Sequence, residues 1–290
     1  MLQQRLEKIR LKTKKFIPLI TGLLLAVMLA GATSCQYPID TRINVVASTS
    51  LIVNIVDQIG GNNFNVTNLV PPNQHPGNFD AKPSDIEALE KAKLFILHGW
   101  PGETYADKLI ASVKNPDLKV VKANIDGNWM IPSVQLAATD RLADILGETD
   151  PDNAEAYINA ANAYKNRINT VDSQIKEKLQ TAKASTVNVI ASARQADFLQ
   201  WAGFNVIATF QDAQSLTPKV VQGLVDQGKA NNVLLVVNNI QDGQDAGKAI
   251  ADELGVANIN LSNFPGGLQN TETWEKAIEK NVQLLTEALP

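Results

Sequence analysis

The rarest side chains limit the chemistry open to this chain: two histidines and one cysteine in 290 residues. His75 lies in a turn-rich loop, Asn73 to Lys82, and His98 directly follows the apolar run Leu94–Leu97. Both therefore sit just beyond stretches that read as strands, where one lobe could bring them together. Neutral imidazole is the commonest metal-ligating side chain. Zinc is tetrahedral and draws most of its ligands from protein. The nearest carboxylates in sequence are Asp80 and Glu103, with Asp126 and Asp212 as further options. The candidate metal ligands are thus His75, His98, Asp80 and Glu103. The bland alternative for each histidine is a surface or hydrogen-bonded ring that holds nothing.

Other residues suit an organic solute. In His98-Gly99-Trp100-Pro101-Gly102-Glu103 an indole stands beside a polar strand end, able to stack on a flat group or to pack under its own loop. Trp129 and Trp201 invite the same two readings, and Trp201, on an expected helix, belongs in the core. Arg194 could meet an anionic solute near a helix start or serve as a surface ion pair. No enzyme is indicated. There is no Gly-x-Ser-x-Gly, and Gly60-Gly61 and Gly266-Gly267 are isolated pairs rather than phosphate loops.

The chain opens with six basic residues between Arg5 and Lys15, an uncharged run from Phe16 to Ala30, and the small residues Gly31–Ser34 before Cys35. That pattern predicts a secretory signal over residues 1–34, too short to span a membrane as a helix. The lone thiol directly after it is expected to be the lipidated first residue of a bacterial lipoprotein, tying the protein to the outer face of a membrane. The sequon Asn65-Val66-Thr67 is discounted on the same ground. Residues 35–290 carry 20 Lys+Arg against 29 Asp+Glu, a balance of −9. Such a charge argues against a nucleic-acid partner and favours a soluble monomer.

The elements that must position these residues alternate. Strand signals at Ile43–Ala47, Phe64–Val70, Leu94–Leu97 and Leu118–Lys122 are separated by helical stretches after Ser50 and over Ile86–Ala92. A second series follows, with strands at Val187–Ala191, Asn205–Ala208, Val233–Val237 and Asn258–Leu261. Its helices are expected at Ala196–Ala202, Pro218–Ala230, Gly243–Leu254 and Thr271–Leu289. Between the series, Asp150 opens a segment in which Ala154, Tyr157, Ile158, Ala161, Tyr164, Ile168, Val171, Ile175 and Leu179 recur at helical spacing. The expected fold is α/β: two wound lobes, 35–149 and 185–290, joined by one long rigid helix within 150–184. A ligand cleft between the lobes would sit at the strands' carboxyl ends.

On particular motifs the chain resembles the zinc- and manganese-type solute receptors of bacterial ABC importers. Leu69-Val70-Pro71-Pro72 followed by Pro83-Ser84-Asp85 is similar to that family's N-lobe signature. Asp150-Pro151-Asp152-Asn153-Ala154 resembles its lobe connector, and Pro265-Gly266-Gly267 with Trp274, Asn281 and Leu285 resembles its C-terminus. The resemblance implies a metal held between the lobes by three histidines and a carboxylate, and partnership with an ABC permease and ATPase. Yet Gly77, Asn128, the Ser192–Arg194 stretch and Ser262-Asn263 occupy those four places. The expectation is a receptor for zinc or manganese at a relocated site, with no catalytic cofactor. The alternatives are a receptor for a metal chelate or small organic solute, and a non-transport adhesion or regulatory lipoprotein.

Overall fold

Short β-branched runs flanked by Gly, Pro, Ser and Asn become eight parallel strands in the computed structural model, which describes residues Asp40–Leu289. The signal 1–34 and the anchor residue Cys35 lie outside the described residues. No helix among the described residues is long and apolar enough to cross a membrane.

The first sheet contains β1 (Ile43–Ala47), β2 (Phe64–Asn68), β3 (Leu94–Leu97) and β4 (Lys119–Lys122) in the order β2-β1-β3-β4. Register is set by Ile43 against Phe64, Val45 against Leu94, and Leu94 against Lys119. Central β3 is buried along its whole length, whereas edge strand β4 ends in exposed lysines that discourage further pairing. Parallel neighbours need crossovers, supplied here by α1 (Ser50–Gly60), α2 (Pro83–Lys91) and α3 (Tyr105–Ser112).

Two further helices, α4 (Pro132–Thr149) and α5 (Ala154–Thr181), lead to the second sheet. That sheet has β5 (Asn188–Ser192), β6 (Asn205–Phe210), β7 (Leu235–Asn239) and β8 (Ala257–Leu261) in the order β6-β5-β7-β8. Helices α6 (Ala196–Trp201), α7 (Pro218–Ala230) and α8 (Lys248–Leu254) connect its strands, and α9 (Trp274–Glu287) closes the chain. In each sheet the connections diverge between two central strands. These switch points, after β1/β3 and after β5/β7, are where open α/β sheets bind ligands.

The long helix is α5, 28 residues and so about 42 Å at ~1.5 Å per residue. Tyr157, Ala161, Tyr164, Ile168, Val171, Ile175 and Leu179 form its buried stripe. Each aliphatic residue there gains about 1.5–3 kcal/mol over exposure. Ile158, expected in the stripe, is 51% exposed, because one residue past Tyr157 it points about 100° away from the buried face. Helices α3 and α4 had no counterpart in the sequence reading. In α4 the inward face includes Gln135 and Thr139, which break the apolar period. They are tolerated because they are bonded: Thr139 Oγ1 donates to the Gln135 carbonyl, and Gln135 Nε2 to Tyr164 Oη at 3.2 Å. Tyr164 Oη donates in turn to Asn54 Oδ1, which also accepts from Trp274 N. One buried polar chain thus ties α1, α4, α5 and α9.

Candidate functional site

Residues from both switch points line a cleft of about 500 Å³ between the sheets. Its near wall begins where β1 and β3 end. Thr49 precedes α1 but does not cap it; its Oγ1 lies 2.7 Å from His98 Nε2, joining the two strand ends. His98 is fully buried, stacked on Trp100 at 3.6 Å between centroids and 10° between planes, and edge-on to Trp129 at 4.2 Å. Burial holds its pKa well below the ordinary histidine value, so the ring is neutral. The bend beyond it needs glycine: Gly99 has φ +90, and a Cβ there would collide with Asn124.

Glu103 clamps this bend. Its carboxylate accepts the backbone N–H groups of His98 (3.1 Å), Gly99 (2.7 Å) and Trp100 (3.2 Å). The side chain expected to hold a metal is therefore engaged in shaping the turn that presents Trp100. One indole face rests on His98, and Trp100 lines the cleft together with Phe264, whose ring centre is 6.5 Å away.

His75 also lines the cleft. Its Nδ1 accepts the Gly77 N–H at 2.9 Å and caps the short turn Pro76–Asn78. In the neutral ring the proton consequently sits on Nε2, which makes that nitrogen a donor rather than a ligand. Burial, then the positive charge of Arg194, lowers its pKa. A Cβ on Gly77 would meet the His75 ring at 2.9 Å, so this imidazole lies over the place where the resemblance calls for a histidine.

The far wall is a carboxamide network. Asn128 Nδ2 donates to Asn263 Oδ1 (2.9 Å) and Asn263 Nδ2 to the Arg194 carbonyl (3.1 Å). Gln195 Nε2 donates to both Asn263 Oδ1 and Asn239 Oδ1. Across the β5/β7 switch point, Asp242 accepts from Ser192 Oγ, Asn239 Nδ2 and Arg194 Nε. Further bonds close the lobes on one another: Gln241 Nε2 to the Pro72 carbonyl and Ser50 Oγ to the Pro265 carbonyl, each 2.7 Å.

The expected metal ligands are not assembled. Asp80 is exposed and absent from the cleft lining, His98 is sealed between aromatic rings, and Glu103 serves the backbone. Among the described residues no group of three or more His, Cys, Asp or Glu could hold a metal ion. Asn239, Gln241 and Asp242 were missed by the sequence reading as site residues, while Asn263 was marked only as the place of an expected carboxylate. Their signal was position, just at or past the ends of β7 and β8, rather than residue type. Trp129 is a core residue whose Nε1 donates to Ile125, while Trp201 is partly buried against Phe198.

Comparison with known proteins accords with this frame. The chain is 25% identical over 260 residues to the metal ABC transporter substrate-binding lipoprotein ScbA of Streptococcus cristatus, covering 79% of this chain and 84% of that one. It is 25% identical over 238 residues to the iron-binding protein YfeA of Yersinia pestis, covering 75% and 76%. Its fold matches a crystal structure of ZnuA with a TM-score of 0.75, at 22% identity, over 86% of this chain and all of that one. The periplasmic zinc-binding protein TroA of Treponema pallidum aligns with a TM-score of 0.74 at 17% identity, over 86% and 99%. Residues 45–288 match the zinc-uptake complex component A periplasmic (ZnuA) family, a family of substrate-binding proteins rather than enzymes, and the chain belongs to it.

Proposed function

We propose that this protein is the extracytoplasmic solute-binding component of an ABC importer, delivering to a permease and its ATPase. In this reading Cys35 carries the lipid anchor, and a Cys35→Ser chain remains unprocessed or leaves the membrane; unchanged processing and retention would refute the anchor. The solute is a small organic molecule or a metal in chelated form, captured in the interlobe cleft. The supporting observation is that carboxamides, Asn128 on Asn263, close the lobes at the junction where the family resemblance implies a metal. Amides and hydroxyls are poor ligands for zinc, which prefers imidazole, thiolate or carboxylate. Family membership favours zinc or manganese as the metal of such a chelate.

The test is made on chelator-washed protein, titrated with Zn²⁺ and Mn²⁺ and then exposed to a small-molecule extract of growth medium. We expect no stoichiometric ion binding tighter than about 10 μM, and mass spectrometry should identify a retained organic or chelated species. Nanomolar, stoichiometric binding of the bare ion would overturn this reading.

A further inference from the structure

The hydrogen-bonding capacity left over in the cleft narrows the solute further, given the receptor role above. Most polar groups of the far wall satisfy one another. Asn128 donates to Asn263 and to the Arg194 carbonyl, and its Oδ1 accepts from Met130 N. Gln241 donates to Pro72 and Ser262 and accepts from Asn263 N. Glu103 and Asp242 each accept three hydrogen bonds. Beside the Gln195 Oε1 acceptor, which is buried without a partner among the described residues, most of what remains is donors. Arg194 uses only Nε, on Asp242, leaving both terminal nitrogens without a partner among the described residues. His75 presents Nε2–H because Nδ1 is occupied by Gly77. The indole N–H of Trp100 donates to nothing among the described residues. The exposed Asp197 carboxylate is the one charged acceptor of the lining left open.

We propose that the cleft binds a planar organic carboxylate, with its oxygens on the Arg194 guanidinium and His75 Nε2–H and its ring against Trp100. Three features support this. A guanidinium with two terminal nitrogens open suits the fork of a carboxylate. Arg194 and His75 come from opposite lobes yet line the same cleft, where the imidazole feels the charges of Arg194 and, with opposite sign, of Asp242 and Asp212. Trp100 is held rigidly, with its turn clamped by Glu103 and its inner face backed by His98, so little ordering cost falls on binding. The cleft volume lies in the range of small-molecule sites. The same recognition serves a free acid or one that carries a chelated metal, since only the organic part meets these donors.

The test uses the full chain in mild detergent and calorimetry with benzoate, 1-naphthoate and picolinate, each against its matched amide. Picolinate is measured with and without equimolar zinc, and zinc chloride alone is the third arm. At least one acid is expected to bind about tenfold or more tighter than its amide. Arg194→Gln should erase that preference while leaving amide affinity within about threefold, which a merely structural arginine would not do. His75→Phe should weaken the acids by about three- to tenfold, and Trp100→Leu should weaken acids and amides alike. Binding of picolinate without zinc identifies the free acid as solute; binding only with zinc identifies the chelate. The inference is overturned if no acid binds, if acid and amide bind equally, or if the preference survives in Arg194→Gln. Retention of a cationic or carbohydrate solute from the extract would overturn it while leaving the receptor role standing.

Discussion

Replacing Glu103 distinguishes a carboxylate that builds a turn from one that holds a metal. In Glu103→Ala three backbone N–H groups lose their acceptor. That of His98 is buried, and an unsatisfied buried donor costs about 1–3 kcal/mol. Those of Gly99 and Trp100 lie in more open surroundings and can be hydrated, so only a modest net loss accrues for each. The sum is about 2–4 kcal/mol. For a chain of this size, roughly 2–4 °C per kcal/mol places the expected fall in Tm at about 4–16 °C. Glu103→Gln keeps one carbonyl acceptor and should lose about half as much. Thermal melts followed by circular dichroism, with and without added zinc, measure both variants. Because Trp100 depends on this turn, its fluorescence should also shift in Glu103→Ala. A melting point within about 1 °C of the parent, combined with loss of zinc binding, would refute the turn-building role and restore Glu103 as a ligand.

Restoring a histidine at the position that the resemblance assigns to a ligand should not restore a site. Gly77→His forces its Cβ against the His75 ring and still finds amides at Asn128 and Asn263, so zinc affinity should remain within about threefold of the parent by calorimetry. Stability should also fall on the acid side. His98 is neutral when folded and its pKa is depressed, so below about pH 6.5 the unfolded chain binds the extra proton first. Stability is therefore full above that pH and declines beneath it, by up to about 1.4 kcal/mol per unit. Urea melts between about pH 7.5 and 5 should show this slope in the parent and a flatter one in His98→Gln; equal slopes would mean that the buried ring is not responsible.

Much of the architecture was legible because the strands obey simple rules. β1 and β3 were readable to the residue from INVVA and LFIL, since apolar β-branched runs bounded by polar caps have few alternatives. The buried face of α5 was readable from its spacing, apart from Ile158 and the half-buried Ala154. Helix α4 was not, because Gln135 and Thr139 on its inner face are justified only by Tyr164 and by a back-bonded carbonyl. Such partners are tertiary facts that no local pattern carries. β6 runs on to Phe210, past the expected Ala208, with a register shift against β5 at Val189/Ile190.

The site was legible in location but not in chemistry, and the reason is the difference between residue type and residue commitment. Sequence shows that His75, His98 and Glu103 could ligate; it does not show that a Gly77 N–H, a Thr49 hydroxyl and three turn amides already occupy them. Conversely, Asn128 and Asn263 look inert as types, yet their bond joins the two lobes across the cleft. The two amides are therefore partners in one network with the Arg194 carbonyl rather than isolated residues. An amide both donates and accepts, so these two satisfy each other where imidazoles and a carboxylate without an ion would leave polar groups unpaired. With that pair formed, the proposed selection of what enters the cleft falls to the donors beside it on Arg194, His75 and Trp100.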